Sequence, residues 1–211
     1  MTSADDVLRA CWLQIAGAEY EATAELLVVR HAEPHRRYHT AEHVRWVLHH
    51  VAAIVDHEEV QHDVSALRAA ALFHDIVYDP ASATNEADSA DIAATALTEI
   101  GWTEARVAHV RQLVMATAGH EPHSPAAAVL LDADLAILGA EPELYRDYVA
   151  GVRAEYGFVD DTAWRNGRSN VLRSFLERDR IYTTPWMATR EPQARRNLSG
   201  ELEALVTGGS R

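Results

Sequence analysis

Between Thr40 and Gly139 three helical stretches each set an ionisable side chain into an apolar face. The first carries Val44, Val47, Leu48, Val51, Ile54 and Val55, and His43 shares that face because Val47 and Ile54 follow it by four and eleven positions. In the second, His74 has Leu67, Ala70, Ala71 and Val77 at offsets of seven, four, three and three. In the third, Asp134 is flanked at three and four residues by Leu130, Leu131, Ile137 and Leu138. Burying an imidazole or a carboxylate alone costs several kcal/mol, so such a chain must bring these groups together or satisfy each with its own partner.

A shared site accounts for all of them. Asp75 follows His74 directly, so one turn offers both a nitrogen and a carboxylate oxygen. Two imidazoles and two carboxylates (His43, His74, Asp75 and Asp134) form a mixed N/O set suited to a divalent ion such as Mn, Fe, Ni, Co, Zn or Mg. Four protein donors leave positions for water and substrate. The alternatives are core histidines satisfied by neighbouring carboxylates and, for Asp134, an intrahelical or capping role, with Asp132, the weaker candidate, able to share its part.

The remaining pattern is helical throughout and predicts an all-α fold. Val7, Leu8, Cys11, Trp12 and Ile15, then Ala22, Leu26 and Leu27, predict one long or broken helix around Gly17. Thr40 is placed to cap the helix that carries His43. The helix carrying His74 is expected to start near Ser65 and run to Tyr78, stopped by Asp79 before Pro80. Further helices are expected from Thr84 to Gly101, from Thr103 to Gly119, from Ser124-Pro125 to Gly139, from Pro142 to Gly157, through Trp164 to Leu176, and from Pro192 through Leu205. At 211 residues the chain is long enough for one sizeable core, and a single domain spanning 1–211 is expected.

A formal charge of -13 opposes non-specific binding to nucleic acid polymers or anionic membranes, so any phosphate must be met locally. Cys11 is the only cysteine, which rules out an intrachain disulfide and a cysteine-based zinc site, and a role as a buried small hydrophobe is expected for it. With no apolar run near the roughly 18 to 20 residues that span a bilayer, and no signal-like start, a cytoplasmic location is expected. A homodimer is compatible with the sequence and not required by it.

The order His43, then His74-Asp75, then Asp134 within Asp132-Ala133-Asp134-Leu135 resembles the HD superfamily of metal-dependent phosphohydrolases. The resemblance covers about residues 38–139, an HD core followed by a C-terminal helical extension over 141–211. It implies a metal at His43, His74, Asp75 and Asp134, and hydrolysis of a small nucleotide or other phosphorylated metabolite. The stretch Tyr38-His39-Thr40-Ala41-Glu42-His43 is similar to a segment of cyclic-nucleotide phosphodiesterases, which implies that His39 protonates the leaving oxygen. Residues 38–44 and 73–89 more narrowly resemble small bacterial HD proteins regarded as hydrolases. Asp75 or Asp134, besides binding metal, is expected to orient the attacking water. Some HD branches place second-metal ligands near His120 and His123, and a few hold two irons and use oxygen, so a di-iron oxygenase is the first rival. A non-catalytic metal-binding or sensing module is the second.

Other polar groups carry more ordinary readings. Asn85 and Glu86 cap a helix, yet their loop is placed to line the pocket, and Glu86 is a candidate substrate contact. Arg165, Arg168, Arg173, Arg178 and Arg180, with Tyr182, form a local basic segment in which Arg168 and Arg180 are the candidates to clamp a phosphate. His31, His35, His49, His50, His57, His62 and His109 fit a solvated polar face.

Overall fold

Ser3 and Asp6 exchange hydrogen bonds in a capping box that starts α1 (Ala4–Ala16). In this computed structural model, which describes residues 2–58, 61 and 63–208, the chain then turns at Gly17, whose φ of 106° suits glycine. A 3-10 turn (Ala18–Tyr20) leads into α2 (Glu21–His31), so the first helix is broken rather than continuous. α3 (Ala41–His57) buries Val44, Val47, Leu48, Val51 and Ile54 together with His43, as the spacing predicts.

α4 (Val64–Phe73) begins at Asp63, whose carboxylate accepts the Ala66 N–H, and stops at Phe73 rather than at Tyr78. The Val77 N–H leaves the helix to donate to Ser89 Oγ at 3.1 Å, and an arginine from another segment takes the carbonyls of the turn. Pro80 has no N–H to offer the Ile76 carbonyl. Arg36, only 3% exposed, donates instead to the carbonyls of Ile76 (3.1 Å), Asp75 (2.7 Å) and His39 (3.0 Å), and its charge is met by Glu33. His74 and Asp75 therefore lie in a turn fastened to the His39 loop. Arg36→Leu leaves those carbonyls without their donor and is expected to cost about 3 kcal/mol or more, read by urea unfolding. A variant as stable as the parent would remove this explanation of where α4 ends.

α5 (Asn85–Glu99) and α6 (Glu104–Ala116) pack together, and Ser124 caps α7 (Pro125–Asp134) by accepting the Ala127 N–H. Asp134 ends α7, and a 3-10 turn (Leu135–Gly139) continues from it. Then come α8 (Pro142–Glu155), α9 (Asp161–Leu176), a short unforeseen α10 (Pro185–Ala188) and α11 (Glu191–Thr207). The fold is all-α, without a strand among the described residues, and no helix among them is long and apolar enough to cross a membrane.

α3 packs against α1, α4 and α7, which sets His43, His74 and Asp134 facing one another. The C-terminal helices close on the turn after α7. Asn197 donates to the carbonyls of Leu138 and Ala140, both at 2.8 Å, and Tyr182 donates to that of Leu135. Asp132, buried, accepts the backbone N–H groups of Thr183 and Thr184, so its carboxylate holds this closure rather than turning to the histidines.

Candidate metal centre

His43 Nε2 and His74 Nε2 stand 3.1 Å apart. Asp134 Oδ1 lies 3.2 Å from the first and 3.6 Å from the second, and Asp75 Oδ2 lies 3.5 and 3.2 Å from them. His74 commits Nδ1–H to the Ala71 carbonyl at 2.9 Å, so the Nε2 lone pair faces the cluster. His43 Nδ1 is 3.1 Å from the Tyr38 hydroxyl, which orients that ring in the same sense.

Lone pairs and carboxylate oxygens converging at such distances repel unless a cation lies among them. Donors about 2.1 Å from one ion, at octahedral to tetrahedral angles, stand roughly 3.0 to 3.4 Å apart, close to the separations seen here. The donor set thus fits a divalent ion. In the ion-free protein protons take that part. Burial works against a charged His74, but the Asp75 charge and hydrogen bonding with Asp134 and Asp75 outweigh it and raise the imidazole well above its ordinary range. Contacts with His74 and His43 overcome burial to hold Asp75 well below the usual carboxylate range, and hydrogen bonds from His120, His43 and His74 do the same for Asp134.

Asp134 presents its second oxygen elsewhere. His120 Nε2 is 3.1 Å from Asp134 Oδ2, and His120 sits at a φ of 50°, an uncommon conformation for a residue other than glycine. Arg178 pins that turn by donating to the carbonyls of His120 (2.9 Å) and Gly119 (3.1 Å). His123 stays exposed in the loop before α7.

His39 is held by Glu155, which comes from α8, outside the segment that resembles the family. Its Nδ1–H donates to Glu155 Oε2 at 2.7 Å, and its ring stacks on Tyr78 at 4.2 Å. The Tyr78 hydroxyl donates to the same Oε2 at 2.9 Å. Glu155 Oε1 accepts the backbone N–H groups of Arg37, Tyr38 and His39 at 2.7, 2.8 and 2.9 Å. Burial opposes the charge on Glu155, yet the His39 hydrogen bond and these amides bring its carboxyl down to about 2. Gly151 lets α8 come this close, since a Cβ there would stand 3.2 Å from Tyr38 Cβ. The signal was available: Tyr145, Tyr148, Val152 and Glu155 follow one another at helical spacing, so Glu155 is one more ionisable group on an inward face.

The structure does not bring Arg168 and Arg180 together. Arg168 is buried and paired with Glu201 through Nε (2.7 Å) and Nη2 (3.0 Å), while Arg180 lines a separate cavity beside His120. Glu86 occupies the first turn of α5, where its charge bears on Tyr156. Asn85 closes its loop by pairing with the backbone of Asp79.

His31 and His50 are buried, not solvated: their Nδ1–H groups donate to Leu27 and Trp46 carbonyls, and burial pushes the rings down to about 3 and about 4. His35, His49 and His57 are exposed, His109 is half-buried, and His62 lies outside the described residues. Cys11 is half-buried rather than fully buried, packed against the core, and burial pushes its thiol up to about 11.

The family model described as HD domain matches residues 40–138. No curated protein and no solved structure matches the chain.

Proposed function

The chain belongs, through residues 40–138, to the HD superfamily of metal-dependent phosphohydrolases, and from that premise we propose that it hydrolyses a phosphoester of a small nucleotide or related metabolite. The observation that carries the reading is the convergence of His43, His74 and Asp75, with Asp134 Oδ1 3.2 and 3.6 Å from the two imidazoles, beside an oriented histidine. These four residues would hold a divalent ion, whose Lewis acidity acidifies water and draws charge from phosphoryl oxygens.

The chain's own groups do the rest. Asp75 and Asp134, anionic and fixed by their histidine partners, orient the attacking water through their carboxylate oxygens. Glu155 fixes the His39 ring by taking Nδ1–H, which leaves Nε2 as the atom that gives a proton to the departing oxygen. Tyr78 restrains the ring from its face. Arg168, whose charge is taken by Glu201, acts on substrate through the cavity wall rather than as a free phosphate clamp.

Metal analysis of protein purified without chelator, followed by a phosphomonoester and phosphodiester screen with the metal found, tests this. Metal-dependent turnover of a phosphoester is expected. A full complement of metal with no turnover across the screen would leave the binding or sensing module instead. The approach of His120 to Asp134 Oδ2 favours a second ion, and two irons per chain with oxygen consumption would favour the oxygenase.

A further inference from the structure

Beside His39 a cavity of about 470 Å³ opens between α8 and α9, within the roughly 300 to 1,000 Å³ usual for small-molecule sites. His39 belongs to both places: it lines this cavity, and its ring centre lies 5.5 Å from that of His43. A proton leaving His39 therefore goes to an oxygen whose organic part extends into the cavity.

The walls say what that part is. Tyr78, Tyr148, Tyr156 and Trp164 line the space, with Tyr156 and Trp164 tilted together at 5.5 Å, and Val152 and Val159 complete an apolar surface. The guanidinium in the lining, Arg168, is committed through Nε and Nη2 to Glu201 and through Nη1 to the Tyr148 hydroxyl at 3.2 Å. Glu155 holds His39 and Tyr78, and the charge of Glu86 bears on Tyr156. An anion in this cavity would meet a guanidinium already neutralised by Glu201, whereas a flat neutral heterocycle would meet aromatic faces.

We propose that this cavity is a nucleoside subsite and that the substrate is a nucleoside monophosphate, rather than a nucleoside di- or triphosphate or a sugar phosphate. The assignment rests on the phosphohydrolase reading above for the fate of the bound group. Water adds to phosphorus, the bond from phosphorus to the nucleoside oxygen breaks, and that oxygen takes the proton from His39. Nucleoside and inorganic phosphate leave, with the water supplying the proton that returns to His39.

Gly167 provides a clean obstruction. It lines the cavity from α9, a Cβ there meets nothing within 4 Å, and its φ is not left-handed. Gly167→Leu therefore fills space without crowding the backbone, and it replaces a helical glycine with a better helix former. Trp164→Ala removes one stacking face instead.

The test uses the metal-loaded full chain, adenosine and uridine as binding probes followed by tryptophan fluorescence and calorimetry, and hydrolysis of nucleoside 5′-monophosphates against ribose 5-phosphate. Both nucleosides should bind. The monophosphates should be cleaved about 10- to 100-fold more efficiently than ribose 5-phosphate, the usual worth of one base stacked on an aromatic side chain. Trp164→Ala and Gly167→Leu should bring the monophosphates down to the ribose 5-phosphate level and weaken nucleoside binding, with metal content kept. Equal efficiency for the two substrate classes without nucleoside binding overturns the subsite and leaves the phosphohydrolase standing. Nucleoside binding that both variants weaken, without hydrolysis of any phosphoester, supports the subsite while removing the phosphohydrolase reading.

Discussion

Alanine in place of His74 or Asp75 is expected to abolish both metal binding and hydrolysis while leaving the helical fold in place. Both residues stand in the turn after α4, and the turn's carbonyls are held by Arg36 rather than by either side chain. The apolar cluster around them, from Leu8 and Trp12 to Leu130 and Leu198, keeps its packing. Removing one member leaves its buried partners without the ion pairs that raise His74 and lower Asp75 and Asp134, so the thermal midpoint of the ion-free variants should fall while the helix content is kept. The lost donor, in contrast, is one of four, and affinity for a divalent ion falls steeply with each. Metal content by elemental analysis and far-UV circular dichroism read the two effects separately. Metal retained at the parent's stoichiometry in both variants would remove His74 and Asp75 from the site.

The same inward-polar logic shows how much the sequence could say. His43, His74 and Asp134 were legible because a helical repeat of apolar residues states which way an interposed polar residue points, whatever it later meets. Glu155 was equally legible from Tyr145, Tyr148 and Val152, and so were His31, four residues after Leu27, and His50, between Val47 and Ile54. Glu155 lies beyond the segment that resembles the family, which ends near residue 139, and the solvated-face expectation for His31 and His50 gives too little weight to the apolar neighbours at helical spacing. Other features were not written locally. The end of α4 depends on Arg36, a residue 39 and 40 positions before the carbonyls it binds at 75 and 76. Asp132 and Asp134 share one helix end, and only the Thr183 and Thr184 amides, which come from a connection about fifty residues on, decide that Asp132 is the structural one. Arg168 and Arg180 looked alike in a basic run until Glu201 claimed the first.

Glu155 and His39 should fail as one unit. His39→Ala is expected to keep metal yet lose about 10²- to 10⁴-fold in turnover, the usual worth of a general acid, with a smaller loss on p-nitrophenyl phosphate, whose leaving group needs little protonation. Glu155→Gln keeps the volume and one acceptor for the amides of Arg37, Tyr38 and His39, but gives up the anion that fixes Nδ1–H. It should also lower turnover with metal retained, and the double variant should be no slower than His39→Ala alone, because Glu155 acts through the imidazole. Glu155→Ala strips those three amides as well and should cost about 3 to 5 kcal/mol of stability. Acid provides an independent reading. With its carboxyl brought from 4.5 to about 2 in the folded chain, Glu155 contributes stability that is full above the unfolded value and is lost as pH falls through that window. Metal-free parent protein should therefore lose more stability between about pH 4.5 and pH 2 than metal-free Glu155→Gln, which has no carboxyl there to titrate. A double variant slower than His39→Ala by the full factor of Glu155→Gln would show that Glu155 works independently of His39, and the positioning role would have to be given up.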